Sequence, residues 1–370
     1  MLPVVAGAPL PAARAVSATN HVALSLGTAA LMAGFLFASP RALGAAVWLL
    51  GGGFAAFIAA AALSLARAAP SATVYGMRLA LAGLACAAVL GLSLALLRAD
   101  VWHPPLLAEA TDAHAGFGLL GWVLLLVIGV AYQVVPMFQI TPPYPPVLGR
   151  WLAGTMFVLL VLRAFLPQRA AAALLMLDAA LAVGILVFAG ATLRLQARRR
   201  RKLPDVTLDF WRLGMVCLAA CVPVWALAQA WPGWARNDAY PMLLGMLFIM
   251  GFAVSVVTGM LYKIVPFLAW FHLQAQLQAK AGTIPNMKQM ISGKALRWQL
   301  YSHYLACLLL AAAALRAEIA PVAGGLLALS AALLLYNLAA AGRRFLSHGG
   351  RAFLGRRAQS PAARMSARRQ

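Results

Sequence analysis

The side chains best suited to chemistry in this 370-residue chain are few, because 64% of it is hydrophobic. There are six histidines, His21, His103, His114, His272, His303 and His348. Imidazole binds metals through a neutral nitrogen and exchanges protons near neutral pH. Asp178 and Arg163 lie inside apolar runs, where an ionisable group is costly and is by default a functional hypothesis. Four cysteines, Cys86, Cys217, Cys221 and Cys307, also lie within apolar runs. Cys217 and Cys221 share a helix face by spacing. They lack the further Cys or His at short spacing that a metal site adds, so they read as small packing residues. No glycine-rich phosphate loop, nucleophile elbow or CxxCH stretch is present. That disfavours kinase, hydrolase and c-type cytochrome chemistry.

The elements that must carry these residues are membrane helices. Charged residues make up only 10% of the chain, against about 25% in a soluble domain. The apolar runs are about 20 residues long, enough to cross a bilayer core. They lack strict alternation and are too long for barrel strands. Ten spans are expected, at about 18–38, 43–66, 77–98, 113–137, 150–167, 170–194, 209–231, 240–263, 298–316 and 319–342. The fold class is therefore all-α, a polytopic helical bundle. Residues 1–17 form a short leading segment without the basic opening and apolar core of a signal peptide. Residues 18–342 form the membrane domain and 343–370 a basic tail.

The net charge of +22 follows topology. Arg198–Arg201 with Lys202, then Lys280, Lys288, Lys294 and Arg297, then the arginines after residue 342 all fall on one side of a ten-helix bundle. The positive-inside rule makes that side cytoplasmic and places both termini there. A bacterial inner membrane is the expected location and the lipid bilayer the expected partner, with anionic headgroups near the tail. Nucleic acid is not expected as a partner, since no folded module surrounds the basic tail.

Two stretches repeat. "GVAYQVVPMF" at 129–138 and "GMLYKIVPF" at 259–267 align at a constant offset of 130. Gly129, Tyr132 and Pro136 fall on Gly259, Tyr262 and Pro266, and Gly121-Trp122 falls on Gly251-Phe252. Because the motif closes helix four and helix eight, the repeat unit is four helices, so the copies run parallel, unlike inverted transporter repeats. Units at about 18–138, 150–267 and 298–342 follow, the third opened by Arg297-Trp298 as the second is by Arg150-Trp151. The motif reads architecturally. Tyr132 and Tyr262 belong at the aromatic interface, and Lys263 snorkels to headgroups. Pro136 and Pro266 bend or end each helix, and the glycines allow close helix approach.

The stretch "DAHAGFGLLGWVLLLVIGVAYQVVPMF" resembles a helix of heme-copper-oxidase-like membrane proteins, including NnrS-type proteins and subunit I of cytochrome c oxidase. "GMLYKIVPFLAWFHLQ" resembles bacterial relatives of that group. The likeness covers about 60 residues in helices four and eight. It implies b-type heme, with copper as the other metal, bound by helix histidines in respiratory, oxygen or nitric oxide chemistry. It also implies respiratory or redox membrane proteins as partners. The chain departs from that pattern. It has ten helices where subunit I has twelve, and Asp112 stands at the first position of a His-x-His, leaving His114 alone.

Depth sorts the candidate ligands. His103 and His114 lie on the outer side. His21, His272 and His303 lie towards the cytoplasmic side, and His348 is in the tail. A bis-histidine heme needs two ligands at one depth. His21 and His303 make one pair, with His272 able to replace either. His114 would pair with His103 or Met242, and those two histidines are also the candidate metal ligands. Each histidine could instead be an interface residue bonded to a carbonyl. Arg163, near the end of helix five, and Asp178, about eight residues into helix six, fall within about 7 Å of the same depth. They form either a structural ion pair or a relay. The function classes carried forward are a heme or metal protein, a transporter using Asp178 and Arg163, and a ligand-free accessory or assembly protein.

Overall fold

The computed structural model of the chain describes residues 6–101, 110–200, 203–277 and 285–350. Ten of its helices are long and apolar enough to cross a membrane, and no strand occurs among the described residues. The protein is a multi-pass, all-helical membrane protein. The helices are α1 (Ala13–Leu36), α2 (Pro40–Ala66), α3 (Ala72–Arg98), α4 (Ala110–Gln139), α5 (Pro146–Phe165), α6 (Ala171–Ala197), α7 (Val206–Ala230), α8, α9 (Gly293–Leu315) and α10 (Ala320–Ser347). Helix α8 consists of Ala239–Gly245, Met246–Val254 and Ser255–Leu277.

Local chemistry starts the helices. Ser39 and Ser71 cap α2 and α3, accepting from the N–H groups of Ala42 at 3.3 Å and Val74 at 3.1 Å. Pro40 and Pro146 occupy first-turn positions, where a missing N–H costs nothing. Large apolar side chains such as Trp48 and Phe165, both 84% exposed, cover the outside, as a surface facing lipid tails requires.

The expected spans are all present, but α1, α3 and α9 each begin five residues earlier than expected, at Ala13, Ala72 and Gly293. Helix α8 departs most from expectation. It continues through Pro266 to Leu277. A proline removes one intrahelical bond, but the residues after it still have a face to bury: Leu273 is fully buried and packs with Met290 and Ile291. A loop expected at 273–296 is thereby shortened from both ends, with a 3₁₀ turn at Met287–Gln289 between.

The repeat has a backbone signature. Phe117–Leu124 in α4 and Met246–Val254 in α8 are both wound as π-helix. Shifted by 130, the first becomes 247–254, one residue short of the second. Likewise Pro146, which opens α5, shifted by 147 becomes Gly293, which opens α9.

The chain divides into two compact units. The first comprises 1–204, 214–240 and 247–253. Here α1 packs on α2, α2 on α3, and α3 on α4. The α3–α4 crossing depends on glycine, since a Cβ on Gly76 would lie 2.7 Å from the Gly129 Cα, and one on Gly83 would collide with Gly121. Lipid tails are as apolar as leucine, so such close packing is what holds membrane helices together. The second unit comprises 205–213, 241–246 and 254–370. In it α9 pairs with α10, which also contacts the last part of α8. Its core is Phe210, Tyr262, Leu273, Met290, Ile291, Leu300 and Ala341.

Candidate functional site

The second unit buries a connected set of polar side chains. Ser255, Thr258, Gln299, His303, Ser330 and Asn337 are each at most 2% exposed. His303 is residue 11 of the 23 in α9, close to mid-span. Gln299 is four residues earlier on the same helix face. Ser255 is the first residue after the π segment of α8, and Ser330 belongs to α10.

These groups converge on one imidazole. His303 Nε2 lies 2.9 Å from the Ser255 hydroxyl and 3.6 Å from Cys307 Sγ. Its Nδ1 lies 3.5 Å from the Ser330 hydroxyl. Gln299 Nε2 donates to Ser330 Oγ at 3.1 Å. The Phe210 ring lies 5.4 Å from the imidazole and walls it on the α7 side. Because Ser330 Oγ already accepts from Gln299, its own hydrogen is free for Nδ1, which leaves Nε2–H to donate to Ser255. Hydroxyls can reverse such roles by rotation. Gln299 Oε1 and Asn337 Oδ1 are buried without a protein partner. An unmade bond on a buried acceptor costs about 1–3 kcal/mol, so such atoms mark a water or ligand position.

Nearer the N-terminal end of α9, Asn337 Nδ2 donates to the Tyr262 hydroxyl at 2.9 Å and to the Ala295 carbonyl at 3.3 Å. Tyr304 donates to the Asp209 carbonyl at 2.9 Å. Lys263 pairs with Asp205 at 2.8 Å, while Asp205 also accepts from the Thr207 N–H and so caps α7. Two sequence expectations change here. Tyr262 is a core residue, 6% exposed, not an interface anchor, because Asn337 gives its hydroxyl a buried partner. Lys263 holds its ammonium on Asp205 rather than at the headgroups, because a partly buried charge is far cheaper paired than alone.

In the first unit, Arg163 Nε meets Asp178 Oδ1 at 2.5 Å and Nη2 meets Oδ2 at 3.5 Å. The depth argument from sequence therefore identifies a real ion pair. His114 donates Nδ1–H to the Ala87 carbonyl, 2.9 Å away on α3. Its ring fills the space beside Gly91, where any Cβ would come within 2.6 Å of Cε1. In the neutral ring that bond fixes the tautomer and leaves Nε2 as the lone-pair nitrogen. Tyr132 donates to the Leu148 carbonyl at 2.9 Å, and Pro136 lies within α4, which continues to Gln139.

The remaining histidines are dispersed. His21 is exposed on α1. His272 Nδ1 bonds to the Leu268 carbonyl of its own helix at 2.7 Å. It follows Ser255, the contact of His303, by seventeen residues, or about 25 Å of helix. His103 lies outside the described residues. Among the described residues, no three His, Cys, Asp or Glu side chains are grouped to share a metal ion. Cys221 donates to the Cys217 carbonyl at 3.4 Å, both thiols being buried and free. Sequence reasoning found His303 but missed Ser255, Gln299, Ser330, Asn337 and Asp205. The available signal was a set of polar residues four or seven apart in otherwise apolar helices, Gln299 with His303 and Ser330 with Asn337.

Compared with known proteins, the chain matches no family model, no curated protein and no solved structure.

Proposed function

We propose that the protein is a b-type heme protein of the inner membrane, with both termini cytoplasmic, acting in respiratory, oxygen or nitric oxide chemistry beside other redox membrane proteins. The observation that carries this is His114. Its Nδ1 is tied to the Ala87 carbonyl, the arrangement that orients an iron-ligating histidine and raises its basicity. Nε2 is the nitrogen that would hold the iron, and one histidine suffices for a five-coordinate heme. The resemblance of residues 112–138 to heme-copper-oxidase-like helices supports the same residue. Bound heme would supply one-electron chemistry. The chain's own contribution is orientation by Ala87 and the room that Gly91 leaves for the imidazole ring. A reduced-minus-oxidised spectrum of the purified protein tests this. A b-type band is expected in the wild type and should vanish in His114→Ala. A wild type without that band ends the reading.

A transporter is favoured by a different observation, the two-point ion pair of Arg163 and Asp178 within a helical hairpin of the bundle. If that pair lies on a transport path, Asp178→Asn abolishes uptake by vesicles while the purified protein keeps its fold. Unchanged uptake with a lowered thermal midpoint leaves the pair as a structural clasp.

A further inference from the structure

We propose that the second unit contains a one-sided, water-lined path through which His303 exchanges protons with the cytoplasm. The inference does not rest on heme binding.

The polar groups form a staircase. On α9 the Ala295 carbonyl, Gln299 and His303 succeed one another at four-residue steps, each about 6 Å of rise. On α10 Asn337 and Ser330 are two turns apart, and on α8 Tyr262 and Ser255 are likewise two turns apart. Each level of α9 therefore has its counterpart on a neighbouring helix. The lower level joins Tyr262, Asn337 and Ala295, and the upper level joins Gln299, Ser330, His303 and Ser255. Asp205 and Lys263 lie at the basic end of the staircase, with side chains 25% and 20% exposed.

Two further facts give the staircase a function. Gln299 Oε1 and Asn337 Oδ1, one on each level, are buried acceptors with no protein partner. Each calls for water, and buried water typically bridges such groups. The staircase also stops. Beyond His303 the buried residues of α9 are Ala306, Leu310 and Ala314, and α10 buries only Ala323 before Ser330. Polar access is thus confined to the end at which α9 begins, the cytoplasmic end by the charge bias.

His303 suits the terminus of such a path. A hydronium ion arriving along the path transfers its proton to Nδ1, which gives an imidazolium with two N–H donors and leaves a water molecule behind. The Ser255 and Ser330 hydroxyls can rotate to accept from both. The titratable groups with a contact at the cluster or below it are Cys307 and Tyr304 of α9, Tyr262 and Lys263 of α8, and Asp205 and Asp209 at the start of α7. The buried residues of α10 include none.

Cys307, 3.6 Å from His303 Nε2, is a built-in reporter. The full chain, with Cys86, Cys217 and Cys221 replaced by alanine, is placed in vesicles of known orientation. Silver ion, small and unable to cross lipid, is added on one side, and the thiol left unreacted is then alkylated after denaturation. Silver on the cytoplasmic side should protect Cys307, and silver on the outer side should not. Asn337→Leu, which plugs the lower level, should abolish the protection. No protection from the cytoplasmic side, or protection from the outer side, overturns the proposal.

Discussion

Helices α4 and α5 and their repeats α8 and α9 bury the same positions with opposite chemistry. At the offset of 130, Leu125 and Ile128 correspond to Ser255 and Thr258. At the offset of 147, Leu152 and Met156 correspond to Gln299 and His303. All eight are at most 9% exposed. Leu160 corresponds in the same way to Cys307. In the first copy leucine, isoleucine and methionine fill these places, π segment included. The polar set of the second copy leaves two amide oxygens unsatisfied, and polar groups buried in a membrane span are by default a functional hypothesis.

The largest effect is expected at the glycine crossing of α3 and α4, which the second copy does not share, since Val206 and Leu213 stand where Gly76 and Gly83 would fall. Gly76→Ala would set a methyl 2.7 Å from the Gly129 Cα, and backbone cannot yield as a side chain tip can. A loss of about 3 kcal/mol or more is expected, at the upper end for overpacking. It would be seen as a large fall in the thermal midpoint in detergent, and an unchanged midpoint would refute the close crossing. Next comes transplantation of polarity into the apolar copy. Met156→His should cost about 2–3 kcal/mol, because the imidazole is buried and the offset puts Leu125 where His303 has Ser255. Adding Leu125→Ser should recover part of that loss, and failure to recover any would deny the equivalence of the copies.

The reverse exchange sharpens the point. His303→Ala alone should cost about 2 kcal/mol, leaving a cavity and unpartnered hydroxyls. The double change His303→Met with Ser255→Leu, which restores the residues of the first copy, should stay within about 1.5 kcal/mol of wild type. If the double variant is the worse of the two, the polar set is structural after all. A smaller effect is expected at the mouth, where Lys263→Met leaves a one-quarter exposed Asp205 without its cation. About 1 kcal/mol is expected after allowance for solvent screening, and Asp205→Asn added to it should return some of the loss in the same thermal assay.

Much of the architecture was legible because hydropathy is local. A run of about 20 apolar residues defines a span whatever its neighbours do. The Arg163–Asp178 pair was legible for a related reason, since a tight hairpin turns sequence distance directly into depth. The polar cluster was not. Ser255 and His303 are 48 residues apart and Asn337 and Tyr262 are 75 apart, and a lone serine in an apolar helix ordinarily bonds its own backbone. Helix α8 beyond Pro266 was missed because a proline was read as a stop. The packing of Leu273 against Met290 and Ile291 outweighs the single lost bond.

The two π segments also set orientation. A π turn accommodates one surplus residue, and one residue turns the following helix by about 100°. The surplus stands at corresponding places in Phe117–Leu124 and Met246–Val254, so in each helix it decides which face the residues after it present. In α8 the first residue past the turn is Ser255, and the face so presented puts its hydroxyl 2.9 Å from His303. Without the surplus, the same serine would point about 100° away from the imidazole.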